Sequence, residues 1–169
     1  MIGKIAFSSL FLVALSLVQT TWIQPIAIAG IIPDLALLAV IAVAYRNGPI
    51  LGTTSSFIAG LIEDILSAAP LGFNAFISSL AAWMSSFLHG SIHLDRVLMP
   101  ALLGIGATVY KALAVQLLGS MFGSSLPNYD LGGSQFWIEL GYNAVAAPIV
   151  FAVASLLHRL TDTRKGRSG

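Results

Sequence analysis

The sequence predicts an all-α membrane protein, a bundle of six transmembrane helices, and three observations predict it. Of 169 residues, 57% are apolar and 9% charged, against about 25% charged in an ordinary soluble domain. A charge-free run extends from Ile5 to Pro33, longer than the roughly 20 residues with which an α-helix crosses a bilayer's hydrocarbon. Stretches such as Ile31 to Val43 are apolar at consecutive positions, whereas the strands of a spanning β-barrel alternate apolar and polar residues. Six crossings leave only short loops, so no sizeable water-soluble domain fits in the chain.

The charged residues divide the apolar sequence into helices at about 4–23, 33–46, 49–68, 74–89, 97–122 and 135–158. The first follows Lys4, and its apolar run outlasts one span because Gln24, Pro25, Gly30 and Pro33 form a turn before the second. The second helix is short. Asp34, directly after Pro33, opens it: a carboxylate there accepts from orphan N–H groups and meets the positive end of the helix dipole. Pro70, Gly72 and Asn74 separate the third helix from the fourth, and Gly132, Gly133 and Ser134 close the longest loop before the sixth. Residues 1–158 form the transmembrane domain and 159–169 a basic tail.

Charge placement orients these spans. With the N-terminus in the cytoplasm, Lys4, Arg46, Arg96, Arg159, Arg164, Lys165 and Arg167 all lie on the cytoplasmic side, as the positive-inside rule requires. Asp34, Glu63, Asp64, Asp130 and Glu139 then lie at or near the outer boundary, and both termini are cytoplasmic. Lys4, an apolar core and Ala27-Ile28-Ala29 imitate a cleavable signal peptide, but the apolar region is longer than the usual 7 to 15 residues. The first helix is expected to stay. The tail of Arg159, Arg164, Lys165 and Arg167 suits anionic lipid headgroups at roughly 1 kcal/mol per residue.

Two groups of residues inside the spans call for a role. Gly48, Gly52, Ser56 and Gly60, followed by Asp64, repeat every fourth position along the third helix. Small side chains at that spacing let a neighbouring backbone approach closely, either within this chain or from another membrane protein. Lys111 sits near the middle of the fifth helix, too deep to reach water easily, and an ionisable residue there takes a partner. Glu139 and Asn143, one turn apart on the sixth helix, share a face at a matching depth. A buried polar cluster of Lys111 with Asn143 and one or more of Glu139, Glu63 and Asp64 is expected.

Reaction chemistry finds little support. There are no cysteines, hence no Cys-ligated metal, disulfide or thiol nucleophile. His89 and His93 have a metal-compatible spacing, but no glutamate follows His89 and Gly90 interrupts the helix. No catalytic residue, metal site or cofactor is expected. The serine pairs at 8–9, 55–56, 78–79 and 85–86 suit hydrogen bonding between helices, and Glu63 and Asp64, adjacent on a helix, point about 100° apart and make a poor acid/base team.

Ile32-Pro33-Asp34-Leu35, Gly52, Gly60-Leu61-Ile62-Glu63-Asp64 and Pro70-Leu71-Gly72 resemble the rod shape-determining protein MreD family. That resemblance implies a non-enzymatic scaffold of the bacterial cell-elongation complex in the inner membrane. Its implied partners are MreC, the RodA glycosyltransferase with its penicillin-binding transpeptidase, the MreB cytoskeleton and membrane lipids, with no nucleic acid. Gly52, Ser56 and Gly60 are then the expected partner-docking face, and Asp34, Glu63, Asp64 and Asp130 an outer acidic rim that orients the partner. The family is also similar to the six-helix substrate-capture subunits of energy-coupling-factor transporters, a likeness of fold. An alternative function as such a substrate-binding subunit requires a cavity lined by groups such as Lys111, Asn143 and Glu139. The first helix fits that alternative poorly, since Ala6 and Ala14 are eight apart with Leu10 between them.

Overall fold

A computed structural model describes residues 1–22, 25, 27, 30–67, 70–88, 97–122 and 133–163. Among them are six helices: α1 Ile2–Trp22, α2 Leu35–Asn47, α3 Pro49–Leu66, α4 Phe73–Ser86, α5 Leu98–Phe122 and α6 Ser134–Thr163. Four of these, α1, α3, α5 and α6, are long and apolar enough to cross a membrane. The remaining two, α2 and α4, have 13 and 14 residues, about 20 Å each at 1.5 Å per residue, short of a roughly 30 Å hydrocarbon layer.

The short α2 is the centre of the molecule. It touches all five other helices, and every residue from Leu37 to Ala44 is buried. A helix apolar on all sides belongs either in lipid or in a core. Here α2 is the core, and Leu12, Ala59, Ala81, Ala107, Ala147 and Phe151 of the other five helices pack around it.

Its ends explain its length. At the N-terminus Asp34 accepts a hydrogen bond from the Leu37 amide at 3.0 Å, the cap expected from Pro33-Asp34. At the C-terminus Gly48 adopts φ 79°, donates its N–H to the Ala44 carbonyl at 2.9 Å, and Pro49 follows at the first position of α3. Positive φ suits glycine and a proline tolerates the missing donor of a first turn, so α2 and α3 form a tight antiparallel hairpin.

Small residues set the helix spacing. A Cβ built on Gly52 falls 2.6 Å from Ala44 Cα, and one on Gly60 falls 2.5 Å from Ala75 Cα. The backbones of α2 and α4 therefore lie directly on α3. A Cβ on Gly104 falls 2.8 Å from the Asn143 carbonyl oxygen, which gives the same close approach of α5 to α6. Between α1 and α3 the Ser9 hydroxyl donates to the Ser55 carbonyl at 3.3 Å.

Outward, the bundle presents Phe57, Phe76, Trp83, Leu102, Leu117, Val145 and Ile149, a surface suited to lipid. The sixth helix runs to Thr163 rather than stopping near 158. A reading based on hydrophobicity ends at the first charge, whereas the backbone hydrogen bonds of a helix continue past it. The fourth ends at Ser86 rather than 89, with a turn over Phe87 and Leu88.

Candidate functional site

Lys111, half-way along α5, reaches into the bundle with a side chain 26% exposed and binds two carboxylates. Its Nζ lies 2.5 Å from Asp34 Oδ2 and 2.9 Å from Glu139 Oε1. The two acids are themselves 14% and 6% exposed. Asn143 completes the group. Its side-chain carbonyl accepts the Asp34 backbone N–H at 2.8 Å, and its amide donates to Thr108 Oγ1 at 2.9 Å. Thr108, one turn before Lys111, donates its hydroxyl to the Gly104 carbonyl at 2.9 Å. From α1, Gln19 Oε1 accepts the Ala36 N–H at 2.9 Å.

The result is a polar knot around the N-terminus of α2. Orphan amides of the first turn are satisfied by Asp34 and Gln19, and Asp34 uses one oxygen for the helix and the other for Lys111. Removing two carboxylates and an ammonium from water is expensive unless geometry and additional hydrogen bonds compensate. Both acids, the ammonium and Asn143 have such partners here, and the knot ties α1, α2, α5 and α6 together.

Asp64 forms a second polar joint. It is 3% exposed and accepts three backbone N–H groups at the start of α4: Gly72 at 2.8 Å, Asn74 at 2.8 Å and Ala75 at 3.2 Å. Gly72, at φ 94°, has no side chain with which to cap its own helix. A carboxylate from α3 takes that place and meets the positive end of the α4 dipole.

The sequence-expected residues fall as follows. Lys111, Glu139 and Asn143 are brought together, with Asp34 as the second acid. Asp34 and Asp64 were expected on an outer acidic rim, and their placement is corrected: both point inward and are committed to Lys111 and to α4. Gly52, Ser56 and Gly60 are buried, and Gly52 and Gly60 face α2 and α4 of their own chain, so the close backbone approach their spacing predicted is intramolecular. Thr108 and Gln19 were missed. Thr108 lies three residues before Lys111 on one helix face, a signal that was available. Gln19 gave none. Among the described residues no three His, Asp or Glu residues are placed to hold a metal. His89, His93, Arg96 and Asp130, and Arg164, Lys165 and Arg167 of the basic tail, lie outside the described residues.

What this arrangement does chemically is hold helices. Each acid in the two joints binds a cation or backbone donors, and what faces outward is mostly hydrocarbon. No curated protein and no solved structure matches the chain. The family model described as rod shape-determining protein MreD matches residues 1–160, a range that takes in α1 to α5, all but the last three residues of α6, the Pro33-Asp34 cap and both polar joints. This apolar helical bundle therefore belongs to the rod shape-determining MreD family of membrane proteins, whose role lies in the determination of cell shape.

Proposed function

We propose that this protein is a non-enzymatic scaffold of the bacterial cell-elongation complex. It resides in the inner membrane with both termini cytoplasmic, docks MreC, and through that contact joins RodA, its penicillin-binding transpeptidase and the MreB filament. One observation carries this reading: the charged groups inside the bundle join helices to one another, as Lys111 does with Asp34 and Glu139 and Asp64 with the start of α4. A rigid bundle with a fixed apolar outer surface is what a partner's transmembrane helix needs, because lipid supplies no hydrophobic drive for helix association and shape must supply the contact.

Gly52, Ser56, Gly60, Asp64 and Asp34 then contribute to partner binding indirectly. They set where α2 and α4 lie, and hence the shape the partner meets. The test is purification of the full chain from native membranes with MreC quantified by mass spectrometry. MreC is expected to co-purify with the wild type and to fall at least several-fold with Gly60→Leu, which forces α3 from α4. Absence of MreC from a wild-type preparation that melts cooperatively refutes the reading.

A further inference from the structure

Beyond the two joints, a cavity of about 530 Å³ opens at the Asp34 end of the bundle, between α1, α2, α3, α4 and α5. That size falls within the 300–1,000 Å³ of small-molecule sites. Its wall is mixed. Val13, Leu37 and Val115 contribute apolar surface, while Asp34, Glu63 and Lys111 bring charge into it.

The charges are not balanced. Lys111 is held by Asp34 within the wall and by Glu139 behind it. Glu63, half-buried, lines the cavity beside Ser16, and no cation pairs with it among the described residues. Two carboxylates thus hold one ammonium, and Glu63 is a third carboxylate at the same cavity. An anion entering meets an excess of negative charge, whereas a cation meets a carboxylate in a low-dielectric wall, where attraction is strongest. The aliphatic groups of the lining accommodate the rest of an amphipathic molecule. We propose that this cavity binds a primary ammonium group against Glu63, carried either by a small free amine or by the ethanolamine headgroup of a lipid.

The test uses the full chain in neutral maltoside micelles, melted by its tryptophan fluorescence. Added ethanolamine is expected to raise the melting temperature saturably by several degrees, and sodium acetate at equal ionic strength is not. A parallel arm compares nanodiscs of phosphatidylglycerol with and without phosphatidylethanolamine. A shift in the first arm alone assigns a soluble amine, one in the second a lipid headgroup, and either supports the site. Glu63→Gln, which keeps shape and removes charge, abolishes the response. Val115→Phe, which adds bulk to the cavity lining and leaves Glu63 in place, abolishes it as well. A shift absent from both arms, or one retained in either variant, overturns the proposal. Because this reads ligand binding alone, it is independent of MreC association.

Discussion

Replacing Lys111 by Met removes the ammonium from between Asp34 and Glu139 and leaves two carboxylates facing each other with little water. Breaking a buried ion pair by deleting one partner costs 3–5 kcal/mol. The 26% exposure of Lys111, which lets water reach the site, places this case at the lower end, about 3 kcal/mol or roughly a hundredfold in the folding equilibrium. For a chain of this length each kcal/mol corresponds to about 2–4 °C, so the purified variant is expected to melt about 6–12 °C below wild type. Adding Asp34→Asn and Glu139→Gln removes the stranded charges, keeps a competent cap at the start of α2, and is expected to recover more than half of the loss. The assay is tryptophan-detected melting in detergent for the wild type, single and triple variants. A single variant that melts within 1 °C of wild type, or a triple variant no better than the single, refutes the claim that the knot stabilises the fold.

Other consequences are equally direct. Gly60→Ala puts a methyl group 2.5 Å from the Ala75 backbone and is expected to lose about 1–3 kcal/mol by overpacking, while Gly106→Ala, with nothing within 4 Å, is expected to hold or gain up to about 1 kcal/mol; paired melts compare them. Asp64→Asn retains only one accepting oxygen for three amides, so hydrogen exchange at Gly72, Asn74 and Ala75 is expected to quicken by about fivefold, equivalent to a cap worth ~1 kcal/mol; unchanged protection contradicts the capping role. Alkaline phosphatase fused after Gly169 is expected to be inactive and a green fluorescent reporter at the same place bright, in keeping with the basic residues on that side; the reverse pattern overturns the orientation.

Much of the helical framework was legible because lipid imposes a simple code: charges interrupt apolar runs and set the ends of the helices. Pro33-Asp34 announced the cap of α2, and the four-residue spacing of Gly52, Ser56 and Gly60 announced a close approach. The central place of α2 was not legible. In lipid a core helix and a peripheral one are both apolar on every side, and only the shortness of residues 35–47 hinted at a difference. Lys111 demanded a partner, yet Asp34 is 77 residues away, and nothing local chooses it over Glu63. Asp64 misled for another reason: its partners are backbone amides of α4, which every sequence has.

The most direct test of the scaffold account uses the charge-free knot. In host cells depleted of the native protein, the triple variant Lys111→Met, Asp34→Asn, Glu139→Gln, at the expression level of wild type, is expected to restore rod shape and normal cell width, because folding is all the knot supplies. Rounded cells, despite a recovered melting temperature and normal membrane abundance of the variant, contradict it and assign those charges a chemical task of their own.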